Sequence, residues 1–302
     1  MNKGIKTVIT SIIMSSMLVT NAYAFTDDIL HRSNMSFIEK IVWIITSSSN
    51  KNENIGHDFS MYDDIYYYNS ENLNRYKSFS SKNPDIAPED IIWLVNANLD
   101  RDFYEKAEKI ENTDDEIILV NKYNYLPNNY VPKNLVDIGN GKQATEATAK
   151  AFEEMKQNAE VEGLELNIVS AYRTIDYQKD LYKQYVKRDG KELADTYSAR
   201  AGYSEHHTGR ALDIAAEDMS INNFGNTEEG KWVAENCWKY GFIVRYTENN
   251  KNITGYQPEP WHITYVGTDI AEIMHNENIS SLEEYFVKYV DYSFDSSMEN
   301  NK

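Results

Sequence analysis

The stretch GYSEHHTGRALDIA, Gly202–Ala215, puts two histidines, a glycine and an aspartate together in a chain that is otherwise acidic and rich in tyrosine. His206 and Asp213 are seven residues apart. On one continuous helix they would stand two turns, about 10 Å, from each other, too far to share an ion. Gly209 interrupts such a helix, and ALDIA reads as a short strand. A turn can therefore fold His206 back beside Asp213, with the strand fixing the direction of the carboxylate. Taken alone, the segment reads first as an ordinary polar surface loop.

A second stretch, PEPWHITY (Pro258–Tyr265), places Glu259 three residues before His262, among Pro258, Pro260 and Trp261 at the start of an apolar strand. By itself it reads as a strand entry with one core-facing histidine. The two stretches together carry more. His206, Asp213 and His262 make three protein ligands and leave the fourth position of a tetrahedral zinc open, as a catalytic site requires. A structural site takes four ligands, usually including cysteines. The only cysteine, Cys237, lies in EEGKWVAENCWKYG, where Trp232, Val233, Cys237 and Tyr240 recur at helical spacing ahead of Gly241. That pattern makes it a core thiol. Glu259 is then a spare carboxylate able to carry a proton during hydrolysis. Arg173, in SAYRT, ends a strand and precedes a helix, where a fixed cation can face an oxyanion or a substrate carboxylate. Position alone also allows a plain surface arginine. His207 is expected to point away from His206, and His31, His57 and His275 have no partners in pattern.

Around these segments helices and strands alternate. ATEATAKAFEEMKQNAEVEG predicts a helix ended by Gly163, LNIVSAYR a strand, and TIDYQKDLYKQYVKRDG a helix with Tyr177, Leu181, Tyr182, Tyr185 and Val186 on one face. GFIVRY and WHITYVG read as strands, and helices are expected at 269–275 and 282–289. The pattern is α+β, with a small, mainly antiparallel sheet flanked by helices and a mostly helical N-terminal extension. In that extension Pro88 with Glu89 and Asp90 marks a helix start, YDDIYYYN is a strand or a surface patch, and Ile117–Val120 is a β-rich run. The character changes near residue 115, giving an expected signal segment at 1–24, an extension at 25–115 and a catalytic domain at 116–302.

The chain begins with Lys3 and Lys6, an apolar run from Val8 to Val19, and Ala22-Tyr23-Ala24, the form of an export signal with its cleavage site. The run is shorter than the roughly 20 residues of a membrane span, so an uncleaved anchor is the weaker reading. An exported chain with one cysteine holds no internal disulfide. A formal charge of −18 over 302 residues disfavours nucleic acid and anionic lipid as partners.

The paired motifs resemble those of the VanY-type D-alanyl-D-alanine carboxypeptidases, within the zinc peptidase group that also holds D-Ala-D-Ala dipeptidases and L,D-carboxypeptidases. Ser204, His206, Gly209, Ala211 and Asp213 meet the first motif, and Glu259, Trp261 and His262 the second. SAYRT with Gln178 is similar to the substrate-binding segment, and LVNKYNYLPNNYVP to the entry segment. The resemblance covers about residues 117–270. It implies zinc, and no other cofactor, on His206, Asp213 and His262, with Glu259 as general base and Arg173 stabilising the tetrahedral intermediate. It also implies that Gln178, Ser204 and Trp261 meet the substrate, a peptidoglycan stem peptide ending in D-Ala-D-Ala. An L,D-carboxypeptidase or an endopeptidase would carry the same ligands. A wall-binding module without catalysis would be expected to lack the base, and a two-carboxylate glycosidase would leave the histidines unexplained. Whether the cellular role is glycopeptide resistance or wall maturation, and what oligomer forms, is not written in these motifs.

Overall fold

The computed structural model describes Phe59, residues 62–216 and residues 220–290, all within one compact unit spanning Asn54–Lys302. The expected export signal, His31 and His57 lie outside the described residues. The change of character near residue 115 falls inside this unit. Among the described residues no helix is long and apolar enough to cross a membrane.

Two helices precede the alternating part: α1 (Leu73–Lys82) and α2 (Pro88–Asn96). Pro88 occupies the first turn of α2 and Glu89 and Asp90 follow it, as the helix-start signal predicts. Of the two readings left open for Tyr62–Asn69, a strand or a surface patch, the structure shows no strand: the segment forms turns, with Tyr66 exposed, in keeping with the turn-forming Asp63, Asp64 and Asn69. One expectation upstream of the sheet is corrected: Ile117–Val120 is not a strand. Pairing passes instead to β1 (Glu108–Lys109) and β2 (Asn124–Tyr125), which run parallel. Ile117 and Leu119 pack against the cluster of Val266, Ala271, Met274, Leu282 and Tyr285, so apolar packing and not a ladder holds this segment.

A hairpin of β3 (Leu135–Asp137) and β4 (Gln143–Thr145) leads into α3 (Glu146–Val161), whose N-terminus is capped by the Thr145 hydroxyl accepting from the Thr148 N–H. Then come β5 (Asn167–Ser170), α4 (Ile175–Asp189), β6 (Ala211–Ala215), α5 (Glu228–Asn236), β7 (Phe242–Tyr246) and β8 (Glu259–Tyr265). The chain continues through α6 (Thr268–Asn276) and α7 (Leu282–Tyr285), the latter followed by one wider turn at Phe286–Val290. The four long strands form one antiparallel sheet in the order β5-β6-β8-β7. Together these elements make the expected α+β fold.

The alternation of ALDIA decides which side of the sheet is core. Leu212 and Ile214 join Ile263, Phe242 and Phe224 in a buried cluster with Phe152, Met155 and Ala159 of α3 and Trp232 and Val233 of α5. Cys237 is buried there as well, and burial pushes its thiol up to about 12, which makes it inert packing. Asp213, between Leu212 and Ile214, must face the other way. The apolar stripe expected on α4 is only partly a core face. Ile175 and Gln178 are its buried residues, Tyr177 is 59% exposed, and Leu181 and Tyr185 line a cavity.

Leu212 is fully buried on a central strand. Leu212→Ala is expected to lower unfolding stability by about 2–5 kcal/mol, read as a reduced urea midpoint at unchanged slope.

Candidate metal centre

The register of the sheet builds the site. β6 and β8 pair so that Asp213 lies directly opposite His262, and across β5 Asp213 lies opposite Ser170. Directly opposed residues of an antiparallel pair place their side chains on one face within about 5 Å. His206 arrives from the one-turn 3-10 helix Glu205–Thr208, which ends at Gly209 in the left-handed conformation, φ +67°. A Cβ there would sit 2.9 Å from a Leu135 methyl and 3.3 Å from Thr145. Glycine is thus required both by the turn and by the close approach of the β3–β4 hairpin.

Glu259 needs a different device. Three residues before His262, it would face the opposite side of a regular strand. The β7–β8 register shifts, however: Val244 pairs with Ile263 and Tyr246 with Glu259, so two steps on β7 span four on β8. This irregularity returns Glu259 to the side of His262, with its Oε2 3.8 Å from His262 Nδ1.

The resulting cluster is buried. His206 Nε2 lies 3.2 Å from Asp213 Oδ2, and His262 Nδ1 lies 3.0 Å from Asp213 Oδ1. One ligand atom from each of the three residues falls within 4.8 Å of the others, the one such group among the described residues. Ligand bonds of 2.0–2.2 Å in a tetrahedron require donor separations of about 3.4 Å, so two imidazole nitrogens and a carboxylate oxygen at these spacings fit a small divalent cation. The fit extends to the tautomers. His206 Nδ1 is 2.7 Å from the Ala171 carbonyl, which takes the ring proton there and leaves Nε2 as the lone-pair nitrogen facing the cluster. Burial, helped by the Arg173 cation, holds His206 down at about 4, a neutral ring. Burial also opposes charge on His262, yet its hydrogen bonds with Asp213 and Glu205 win and lift it to about 9. Asp213 is held well below the carboxylate range, its two histidine neighbours outweighing burial. Glu259 is pushed up to about 7, chiefly by burial.

All eight residues singled out in the sequence line one cavity of about 430 Å³: Arg173, Gln178, Ser204, His206, Asp213, Glu259, Trp261 and His262. Arg173 donates from a terminal guanidinium nitrogen to Asp213 Oδ2 at 2.5 Å and from Nε to Ser170 Oγ at 2.9 Å. It is therefore fastened to the carboxylate of the cluster, at the cavity edge. Gln178 is buried. Its amide nitrogen donates to the Ala199 carbonyl at 2.8 Å, which fixes the amide orientation, and its Oε1 is buried without a hydrogen-bond partner among the described residues. His207 does point away, with Nδ1 2.8 Å from the Arg173 carbonyl and Nε2 accepting from the Gly202 N–H. His275 stacks on Trp238 at 4.1 Å, remote from the cluster by contact.

A family model described as VanY, D-alanyl-D-alanine carboxypeptidase, matches residues 141–268. The chain is 40% identical over 193 residues to YodJ of Bacillus subtilis (strain 168), named as a carboxypeptidase, covering 60% of this chain and 70% of that protein. This chain belongs to the VanY family. It is also 38% identical over 176 residues to a D-alanyl-D-alanine carboxypeptidase of Enterococcus faecium, covering 58% of this chain and 52% of that one. Among solved structures, the LdcB LD-carboxypeptidase aligns with a TM-score of 0.57 at 39% identity, over 62% of this chain and 94% of that chain. A VanY D,D-pentapeptidase variant solved with Zn(II) aligns with a TM-score of 0.51 at 32% identity, over 56% of this chain and 97% of that chain.

Reading the VanY motifs in sequence missed what lies behind and beside the cluster. Glu205, Thr264, Arg245 and Glu283 form a buried polar chain reaching His262. The signal available was charge within apolar strands, Arg245 in GFIVRY above all. Lys122 was missed too. Its ammonium donates to the Asp195 and Gly255 carbonyls, at 2.7 Å each, and lies 4.1 Å from the centre of the Tyr256 ring. It thus ties together two loops that carry cavity residues.

Burial pushes Lys122 down to about 8 from the ordinary 10.5. Between these values the unfolded chain binds more protons than the folded one, so this residue makes stability rise with pH across that window, by up to about 3 kcal/mol. Urea midpoints measured from pH 7.5 to 10 are expected to show this rise as a difference between the native protein and Lys122→Met, which lacks it.

Proposed function

We propose that this chain is an exported zinc carboxypeptidase that removes the terminal D-alanine from peptidoglycan stem pentapeptides. The observation that carries the reading is the convergence of His206 Nε2, Asp213 and His262 Nδ1 within 4.8 Å, on the wall of the cavity that Glu259 also lines. The name of the Enterococcus faecium relative and the Zn(II) of the VanY structure support the substrate and the metal. The basic and apolar start of the chain supports export.

Zinc held by His206, Asp213 and His262 supplies Lewis acidity toward the scissile carbonyl and makes a nucleophile available from water near neutral pH. The chain's own groups do the rest. Glu259, beside His262 and buried, accepts a proton from the attacking water and returns it to the departing amine of D-alanine. Burial is the main cause that pushes Glu259 up to about 7, near the strength a general base needs at neutral pH. Arg173 offers N–H donors at the cavity edge, with Asp213 and Ser170 holding its plane, so a developing oxyanion or a terminal carboxylate meets a cation that needs no reorganisation. Gln178 presents Oε1 to a substrate N–H, which would satisfy its orphaned acceptor. Ser204 and Trp261 line the same cavity and close on the terminal residue.

A tetrapeptide substrate is the second reading, favoured by the likeness to the LdcB LD-carboxypeptidase. Purified protein incubated with a stem pentapeptide, and separately with a tetrapeptide, decides between them through the D-alanine released. Release from the pentapeptide that a chelator abolishes and zinc restores is the expected outcome. Release from the tetrapeptide alone would keep the mechanism and replace the substrate. Glu259→Ala is expected to lower kcat by about 10²- to 10⁴-fold while bound zinc stays at one equivalent. Release without metal would overturn the reading.

A further inference from the structure

We propose that Glu205 is the positioning residue of His262: it keeps the ring proton on Nε2, turns the Nδ1 lone pair toward Asp213, and is itself held by Arg245 backed by Glu283. The inference rests on the zinc site proposed above and concerns residues outside it.

The geometry runs in one line through the protein. His262 Nε2 lies 3.4 Å from Glu205 Oε2. That same oxygen accepts from the Thr264 hydroxyl at 2.6 Å, and Oε1 accepts from Arg245 Nε at 2.7 Å. The two terminal nitrogens of Arg245 donate to the two oxygens of Glu283 at 3.0 and 2.7 Å, and Asn121 adds a donor to Glu283 at 3.1 Å. Glu205, Arg245 and Glu283 are 3%, 1% and 2% exposed, so water does not screen them.

Two features separate this arrangement from a purely structural ion pair. The first is charge. Two buried carboxylates face one guanidinium, which leaves an excess negative charge with no buried cation of its own. Stability alone does not favour burying even a balanced pair, since apolar replacements are often neutral or better. A cation at the His262 end uses the excess. The second is direction. Every partner of Glu205 is a donor: an Arg245 N–H, the Thr264 hydroxyl and the His262 ring. Only a group that accepts at both oxygens satisfies all three at once. That demand fixes the proton on His262 Nε2 and leaves Nδ1, on the Asp213 side, to bind.

The test compares Glu205→Gln, Thr264→Val and Glu283→Gln with the native chain. The glutamine amide would turn an NH₂ toward either Arg245 or His262, so it keeps the shape and breaks the donor logic. Zinc dissociation constants are read by competition with a chromophoric chelator, stabilities by urea midpoints, and the His262 tautomer by ¹⁵N chemical shifts in metal-free protein at about pH 10, where the ring, raised to about 9, has shed its second proton. Glu205→Gln is expected to weaken zinc about 10- to 100-fold and to move the His262 ring signals. Glu283→Gln, which disturbs the same network without touching His262, is expected to lower the midpoint and to leave zinc affinity close to native. Zinc affinity unchanged in Glu205→Gln, or lost equally in Glu283→Gln, overturns the inference. If Glu205→Gln does not fold, Thr264→Val reads the same oxygen with all charges kept; a zinc affinity and ring signals identical to native in that variant overturn it as well. A native chain that binds no zinc sinks the metal reading of the cavity, while the ring signals of the variants still decide the role of Glu205.

Discussion

The pairing of Asp213 with His262 across β6 and β8 is the constraint on which the rest depends. A slip of one residue in that ladder would turn Asp213 into the apolar cluster and bring Leu212 to the cavity. The cost would be severe on both faces: an unpaired carboxylate among Phe152, Met155 and Ile263, and a fully buried leucine exposed. The core and the site therefore enforce each other. Leu212 and Ile214 hold the register from one side of the sheet, and the site is the other side of the same strand.

Two of the three clustered side chains come from strands, but the third and the Glu259 carboxylate come from breaks in regularity. His206 sits on a single turn stopped by a left-handed Gly209, and Glu259 reaches the cavity only because β8 carries extra residues against β7. Strands alone would give two side chains at fixed separation on a flat face. The turn lifts a third ligand over that face, and the bulge lifts a carboxylate beside it. The long axis of the sheet thus supplies rigidity, and its irregular ends supply convergence.

Much of this was legible in the sequence because the signals were local. Periodicity of 2 in ALDIA and WHITYVG, helical spacing in α3 and α5, and the proline start of α2 all state what a short segment does by itself. Six of the eight cavity residues were legible because their two motifs fix spacing within a turn and a strand, and Arg173 and Gln178 because SAYRT ends a strand just before a helix. Long-range pairing was not legible. Ile117–Val120 has the composition of a strand, but its partners are the side chains of Val266 and Leu282, far along the chain. Glu205 stands between Ser204 and His206 inside the motif, where a glutamate looks like solvent-facing filler. Nothing near it announces that Arg245, 40 residues away, and Glu283 beyond it remove it from water. The stripe on α4 failed for a related reason: periodicity shows that one face is apolar, and does not tell whether a core or a cavity meets it.

The division between sheet and wall bears on how one fold serves more than one substrate end. The His206–Asp213–His262 cluster, Glu259 and the buried polar chain all sit on or against β6, β7 and β8, where register and packing leave little freedom. The opposite wall is made by Leu181 and Tyr185 of α4 and by the segment around Tyr197, and Lys122 ties the loops carrying Asp195 and Gly255 together from outside. That wall is built from elements outside the β6–β8 register. The solved structures similar to this chain at 39% and 32% identity are named for LD-carboxypeptidase and for D,D-pentapeptidase activity respectively. Strand register fixes where Asp213 and His262 meet, and the loops facing them are free to differ around that fixed pair.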